Sequence, residues 1–220
     1  MILTIDVGNT STTFGLFDGD KLVLQFRRET NIHSSSDEIG CFFRVVLNEN
    51  GFDWHEIKKI GICSVVPSVN YSLMSACTKY LKCEPLFVQA GIKTGLKIKY
   101  ANPKEIGADL IAAAIGAVSL YPNRDTIVVD MGTATTLELV SKNNEFLGGS
   151  ILPGLKISID ALATGTAKLP SVEITKPEGI YGSTTPEAIQ VGTYYGNAGA
   201  IKEICYQYQQ KVFHGEKPFI

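Results

Sequence analysis

The sequence lacks both a long hydrophobic run and any dense block of charge. Its longest mostly apolar stretch, residues 110–120, is about half of the roughly 20 residues that a membrane-spanning helix needs. Twenty basic and 22 acidic residues give a net charge of −2, and like charges are nowhere grouped in a block. These absences argue against a membrane protein and against binding to nucleic acid or an anionic membrane surface. We therefore expect a cytoplasmic protein.

Cysteine and histidine are few and scattered. The five cysteines form no Cys-x-x-Cys pair, and the three histidines, His33, His55 and His214, do not pair at helical spacing. A zinc site of the usual kind needs such clusters. We therefore expect surface histidines, and cysteines that are reduced and mostly buried.

One sequence pattern occurs twice. Residues 5–19 read IDVGNTSTTFGLFDG, and residues 129–140 read VDMGTATTLELV. A uniform shift of 124 positions places Asp130 on Asp6 and Thr136 on Thr12. β-rich runs separated by turn residues predict a three-stranded antiparallel meander in each copy. The predicted strands cover residues 2–5, 12–17 and 21–28 in the first copy, and residues 126–130, 135–140 and 146–151 in the second.

Strands and helices are predicted to alternate after the first meander. Ser35 and Glu38 have the spacing of a capping box, which predicts a helix up to about Asn48. The next predicted elements are a strand over residues 59–66, a helix over 69–81, a strand over 85–88 and a helix from about 104 to 120. Pro122 then breaks the chain, and we expect two domains, residues 1–122 and 123–220.

The repeated loop, with its aspartate, glycine and hydroxyl residues, suits the binding of phosphate. Glycine permits a tight turn whose backbone N–H groups point at an anion. Because a carboxylate repels phosphate, Asp6 and Asp130 are expected to act through a cation or a bound water. Such turns also occur in hairpins for conformational reasons alone. Two copies in one register favour the phosphate site, with both hairpins expected to clamp a polyphosphate in one cleft.

Six short motifs follow one another along the chain. They are DVGNT at residues 6–10, SVVP at 64–67, GAD at 107–109, DMGTATT at 130–136, GGSILPGL at 148–155 and TTPEAIQVG at 184–192. In this order and spacing they resemble the motifs of type III pantothenate kinases, which belong to the actin-like ATPase and sugar kinase superfamily. The resemblance implies an α/β fold of two duplicated actin-like, ribonuclease H-like domains. Each is expected to have a mixed sheet that begins with the meander and is flanked by helices.

The resemblance also implies an activity. That activity is the ATP-dependent phosphorylation of pantothenate to 4'-phosphopantothenate, the first step of coenzyme A biosynthesis. The implied cofactors are Mg²⁺ with ATP and a monovalent cation, K⁺ or NH₄⁺. The implied partners are ATP, pantothenate and a second copy of the chain, in a homodimer that completes the substrate pocket.

Roles for individual residues follow from the same resemblance. Contacts with the phosphates of ATP are implied for Asp6, Val7, Gly8, Asn9, Thr10, Ser11, Thr12, Thr13 and Thr133. Contacts with pantothenate are implied for Tyr100, Gly107, Ala108, Asp109, Leu110 and Thr185. Asp130 is the implied ligand of the monovalent cation, and Asp6 is the implied anchor of Mg²⁺ through a water molecule.

Asp109 is the implied general base. Phosphoryl transfer to an alcohol requires that the attacking hydroxyl be aligned and that its proton be accepted. The alternative is structural, because the helix dipole favours an acid near the start of a helix without any catalytic role. The position of Asp109 in the GAD motif favours the catalytic role.

Two features depart from the family pattern. The family usually has an arginine after the aspartate of this motif, whereas Leu110 cannot donate an arginine's hydrogen bonds. Lys104 or a basic residue of a second subunit is a candidate for that charge. The sequence also ends at EKPFI, where Phe219 and Ile220 are expected to open a strand that leads in the family to a glycine-rich segment beside adenosine. The C-terminal domain is therefore expected to be incomplete.

These departures leave two alternatives open. One is a non-catalytic relative that acts as a regulator or binding protein. The other is a kinase of a different small alcohol, because the phosphate loops indicate ATP more directly than they indicate the acceptor.

Overall fold

The computed structural model describes all 220 residues and divides into two compact units. The N-terminal unit comprises Met1–Thr94 and Asn102–Ala113, and the C-terminal unit comprises Gly95–Ala101 and Ala114–Ile220. Each unit has a β-sheet of its own.

The sheet of the N-terminal unit has five strands. They are β1 (Ile2–Val7), β2 (Ser11–Asp18), β3 (Lys21–Glu29), β4 (Lys59–Ser64) and β5 (Pro85–Phe87), and they lie in the order β3-β2-β1-β4-β5. The first three strands are antiparallel, whereas β4 pairs with β1, and β5 with β4, in parallel. The predicted meander and the two later strands are confirmed.

Two helices, α1 (Ser36–Glu49) and α2 (Pro67–Tyr80), pack against this sheet. Ser35 Oγ accepts a hydrogen bond from the backbone N–H of Glu38 at 3.2 Å, and Glu38 Oε2 accepts one from the backbone N–H of Ser35 at 2.7 Å. The predicted capping box is thus confirmed. Proline in the first turn of α2 suits the start of a helix, because its missing N–H would have no partner there.

Alternation along β1 separates the core from the polar residues. Leu3, Ile5 and Val7 are buried in the cluster that includes the inner faces of α1 and α2. Since successive side chains of a strand point to opposite faces, Asp6 lies on the other face of the sheet, where it is exposed.

The sheet of the C-terminal unit has four strands. They are β6 (Lys97–Ile98), β7 (Thr126–Met131), β8 (Ala134–Ser141) and β9 (Glu145–Pro153), and they lie in the order β6-β9-β8-β7. Strands β7 to β9 form the second antiparallel meander, as predicted. Phe219 forms a parallel bridge with Thr126 along β7, as expected of a residue that opens a strand.

Helices α4 (Leu155–Gly165) and α5 (Thr185–Lys211) follow the second meander. Ile127, Leu137 and Leu139 of the sheet pack with Cys205 of α5 and with Phe213, which follows the helix. No helix of the structure, α5 included, is both long enough and apolar enough to span a bilayer.

The two meanders share one scaffold but differ at the loop. Asp6 is paired with Thr13 across the first hairpin, whereas Asp130 is paired with Thr136 across the second. The second loop is therefore one residue shorter. Thr136 takes the place of Thr13 and not that of Thr12, which corrects the uniform shift of 124 positions. The β-bulge between the second and third strands recurs at the equivalent position.

Helix α3 (Ala108–Leu120) begins later than the predicted start near Lys104. Pro103–Glu105 forms a separate 3₁₀ turn, whose backbone N–H at Lys104 donates to Asn102 Oδ1 at 3.3 Å. Ile106 is extended and interrupts the helix. Asp109 consequently lies in the first turn of α3.

Candidate active site

The first hairpin loop, between β1 and β2, is held in place by Thr30. The hydroxyl of Thr30 donates to the carbonyl of Gly8 at 2.7 Å, and its backbone N–H donates to the carbonyl of Thr10 at 3.0 Å. The backbone N–H of Gly8 donates to the carbonyl of Ser11 at 3.1 Å across the loop. Hydrogen bonds within the chain therefore fix the backbone of the predicted phosphate loop. Sequence reasoning missed Thr30, which lies two residues after the end of the predicted third strand.

Asp6 stands at the end of β1, immediately before this loop. It is exposed, and its strand partners are Thr13 on β2 and Cys63 on β4. An exposed carboxylate beside hydroxyl-bearing residues suits Mg²⁺, which keeps most of its waters and takes few protein ligands. The predicted role of Asp6 therefore fits its surroundings.

The carboxylate of Asp109 is held in one orientation. Its Oδ1 accepts a hydrogen bond from the backbone N–H of Leu110 at 2.8 Å. Gly107 lies so close that a methyl group at this position would overlap Oδ1. The glycine is thus required by the close approach of the carboxylate. Oδ2 is the oxygen that remains for an exchange of protons.

The buried thiol of Cys63 brings Asp6 and Asp109 into one cluster. Burial first, and then the negative charges of Asp6 and Asp109, raise the pKa of the Cys63 thiol to about 12. The parallel pairing of β1 with β4 sets the side chains of Cys63 and Asp6 next to each other. Two of the sequence-predicted acids of the N-terminal unit therefore act on the same thiol. We refer to these three residues as the thiol–carboxylate cluster.

All five cysteines are free thiols, in agreement with the prediction. Cys63, Cys77 and Cys205 are buried, Cys83 is half-buried and Cys41 is exposed. Sequence reasoning did not single out Cys63, because its position opposite Asp6 follows from the parallel pairing of β1 with β4.

The second hairpin loop, between β7 and β8, is backed by the start of α4. The backbone N–H of Gly132 donates to the carbonyl of Ala134 at 3.0 Å, and that of Gly154 donates to the carbonyl of Thr133 at 3.1 Å. A side chain at Gly154 would overlap the carbonyls of Gly132 and Thr133. Because Gly154 is the N-cap of α4, the N-terminus of that helix lies against the loop. A helix N-terminus favours anions such as phosphate.

Asp130 lies on an oxygen-rich face of the second sheet. It is exposed and is paired with Thr136, whose hydroxyl donates to Glu138 Oε1 at 3.2 Å. Glu138 is only 2% exposed. Carboxylate and hydroxyl oxygens suit a hard cation, so the donor set fits the predicted monovalent ion. Sequence reasoning missed Glu138, which reads as one polar residue in an apolar strand.

Tyr100 packs against the first residues of β9. Its ring lies 6.3 Å, between centroids, from the ring of Phe146. It also lies against Gly148, which has a positive φ and leaves room for the ring. The tyrosine is 41% exposed, so that part of its ring remains accessible to a ligand.

Thr185 is the first residue of α5 and lines a cavity of about 700 Å³ beside α4. The wall combines hydroxyl and amide side chains with apolar ones and glycines. The side-chain and backbone hydrogen bonds of Ser183 hold the pKa of Glu187 below its usual value. These bonds also fix the segment that leads into α5. A small molecule with apolar and polar parts fits such a wall.

Comparison with known proteins gives agreement over nearly the whole chain. The family model of type III pantothenate kinases matches residues 2–207. A type III pantothenate kinase from Legionella pneumophila (strain Corby) is 53% identical over 220 residues, which cover 100% of this chain and 86% of that relative. One from Elusimicrobium minutum is 44% identical over 220 residues, covering 100% of this chain and 85% of the relative.

A solved structure supports the fold independently. A Baf family protein from Campylobacter jejuni superposes with a TM-score of 0.51 at 20% identity, covering 92% of this chain and 78% of that one. Together with the two meanders, these findings confirm the predicted α/β class and its repeated three-stranded meander.

The thiol–carboxylate cluster predicts how Cys63 responds to removal of a neighbouring charge. Alkylation requires the thiolate, and the carboxylates disfavour it. Asp6→Asn or Asp109→Asn should lower the pKa of Cys63 and accelerate its reaction with iodoacetamide several-fold at pH 9. The rate at each cysteine is measured by peptide mass spectrometry. Cys77, whose pKa burial likewise raises to about 12, is the internal control. An unchanged Cys63 rate in both variants would contradict the cluster.

Proposed function

The chain belongs to the type III pantothenate kinase family, and we propose that it transfers the γ-phosphoryl group of ATP to the 4'-hydroxyl of pantothenate. The products are ADP and 4'-phosphopantothenate, the first intermediate on the route to coenzyme A. The observation that carries the proposal is the match of the family model over residues 2–207.

The first loop binds the phosphates of ATP in this proposal. Its backbone is already fixed by Thr30, so little conformational entropy is lost when the phosphates bind. Phosphate contacts are proposed for residues 6–13 and for Thr133. Asp6 would hold Mg²⁺ through a water molecule, and Mg²⁺ bound there would neutralise charge on the phosphate chain.

Asp109 accepts the proton of the attacking hydroxyl. The bond between the pantothenate oxygen and the γ-phosphorus forms while the bond from that phosphorus to the β–γ bridging oxygen breaks, and ADP departs with the electron pair. The proton moves to Oδ2 of Asp109, because Oδ1 is engaged by the backbone of Leu110. Gly107 leaves the space in which this orientation is possible.

Three parts of the chain are proposed to recognise pantothenate. Tyr100 offers a ring face, Thr185 offers a hydroxyl, and residues 107–110 contact the reacting end. Leu110 provides an apolar contact where the family usually has an arginine, so a basic group such as Lys104 is required for the carboxylate of pantothenate. Asp130 would hold the monovalent cation, K⁺ or NH₄⁺, with Thr136 and Glu138 close by.

A homodimer completes the acceptor pocket. Large apolar side chains are exposed near the cavity that contains Thr185: Ile180 is 80% and Tyr181 is 82% exposed, and Tyr194 and Tyr195 of α5 are also accessible. Burial of such side chains against a second copy supplies the driving force for association. We place the reaction in the cytoplasm, where ATP and magnesium are at hand.

A second candidate function is favoured by Leu110. Without the arginine, the chain acts as a non-catalytic binding protein or uses another small alcohol as the acceptor. ADP release in the presence of pantothenate and of other primary alcohols distinguishes the three cases. Binding of pantothenate without turnover identifies the binding protein.

Asp109→Asn should lower kcat by roughly 10²- to 10⁴-fold, the usual contribution of a general base. Binding of Mg·ADP should persist, because Asp109 does not hold the nucleotide. Pantothenate-dependent ADP release and calorimetric titration measure the two quantities. Glu105→Gln, an exposed acid from the 3₁₀ turn before α3, is the matched control and should behave like the parent chain. Normal turnover of Asp109→Asn would leave Asp109 with its structural role alone.

Asp130→Asn should raise the K⁺ concentration needed for half-maximal activity by roughly 10- to 100-fold, as expected when an ion site loses a ligand. The parent enzyme should be active in K⁺ or NH₄⁺ and much less active in Na⁺. Asp160→Asn, which changes an exposed acid paired with Lys156, is the control. Equal activity of the parent chain in all three salts would contradict the cation site.

Tyr195→Glu should convert the dimer into a monomer at micromolar concentration, because the new charge must be buried without a partner. The KM for pantothenate should rise with the loss of the second subunit. Sedimentation equilibrium and steady-state kinetics provide the measurements. Tyr206→Glu is the control on the same helix, further from the cavity. A parent chain that sediments as a monomer would refute the homodimer.

A further inference from the structure

The thiol of Cys63 is a buried group that the proposed reaction leaves without a role. Cys63 is the partner of Asp6 in the parallel pairing of β1 with β4, which sets the two side chains next to each other on one face of the sheet. It is 7% exposed, although Asp6 at the same level of the sheet is open to solvent. The sulfur atom therefore lines the interior of the site and is not exposed at its surface.

We propose that Cys63 is a positioning residue of the magnesium–ATP site, whose thiol donates a hydrogen bond to the Asp6 carboxylate and sets the direction in which that carboxylate meets the metal-bound water. The inference rests on the proposed function, because it takes the nucleotide site to be where that function places it. Cys63 touches neither nucleotide nor acceptor in this role.

The position of Cys63 in the thiol–carboxylate cluster requires a hydrogen-bond donor that carries no charge. Asp6 and Asp109 are both negative, and a third negative charge between them would repel each. A protonated thiol donates one hydrogen bond and adds no charge, and its raised pKa of about 12 agrees with that state. A lysine at this position would pair with Asp6 and compete with Mg²⁺.

The consequence is a selective effect on the metal-bound nucleotide. An Asp6 carboxylate without its donor would rotate more freely, and the water-mediated contact with Mg²⁺ would weaken. The contacts of the loop backbone with the phosphates do not involve Cys63, so binding of metal-free ADP would persist. Asp109 has its own anchor at the backbone of Leu110, so kcat would change little.

The test compares Cys63→Val, which removes the donor at similar volume, with Cys63→Ser, which keeps a donor. Cys63→Val should weaken binding of Mg·ADP roughly three- to tenfold, the range of one hydrogen bond, with metal-free ADP unaffected. Cys63→Ser should restore Mg·ADP binding to within about twofold of the parent chain. Titration calorimetry measures the affinities, and steady-state kinetics should show a raised KM for Mg·ATP at nearly constant kcat.

Cys77→Val is the matched control, because Cys77 is also buried, in α2, and no carboxylate is among the causes of its raised pKa. A double-mutant cycle with Asp6→Asn completes the design: the effect of Cys63→Val should disappear once Asp6 has lost its charge. If Cys63→Val does not fold, Cys63→Ala replaces it in the same cycle.

The outcomes separate the inference from the proposed function. A parent chain that fails to bind Mg·ADP contradicts the ATP site itself. A parent chain that binds Mg·ADP while Cys63→Val binds equally well overturns the positioning role. Equal losses of Mg·ADP and metal-free ADP, or an undiminished effect of Cys63→Val in the Asp6→Asn background, would show that the thiol serves packing alone.

Discussion

The parallel pairing of β1 with β4 is the constraint on which the N-terminal site depends. Parallel strands end at the same edge of a sheet, so the first loop, Cys63 and the chain entering α2 all emerge there. Alternation then assigns Leu3, Ile5 and Val7 to the core and Asp6 to the opposite face. A slip of one residue would exchange these two sets, burying the acid and exposing the apolar side chains. The hydrophobic core therefore fixes the register of the site.

The second unit uses the same scaffold for different chemistry. Its meander repeats the strand order and the β-bulge, but its loop is shorter by one residue. Gly15 of β2, which is crowded by the Thr4 side chain, corresponds to the buried Glu138 of β8. Glu138 is opposite Gly149, where no side chain competes for space. Burial of a carboxylate is costly unless charge or hydrogen bonds compensate it, and a cation beside Asp130 would offset part of that cost.

Sequence patterns predicted both meanders and α1, because strand alternation and the capping box are local signals. They missed the true start of α3, since Pro103 favours a short 3₁₀ turn that periodicity does not distinguish from a helix. Helix α5 was not predicted either: its apolar residues are interrupted by Gly192, Gly196 and Gly199 and form no continuous stripe. The roles of Thr30 and Cys63 depend on which residues face each other across strands, and such contacts are not encoded in local spacing.

The two interpretations of Asp109 are compatible once its contacts are known. An acid that stabilises the start of a helix needs only one carboxylate oxygen as a hydrogen-bond acceptor. Oδ1 of Asp109 has this role, because it accepts a hydrogen bond from the backbone N–H of Leu110. Proton transfer needs the other oxygen, held in a constant direction. Gly107 permits this arrangement because any larger residue would displace the carboxylate. The bond that stabilises the first turn of α3 would therefore also orient Asp109 in its proposed role as the base, so helix stability and the proposed catalysis place the same requirement on this residue.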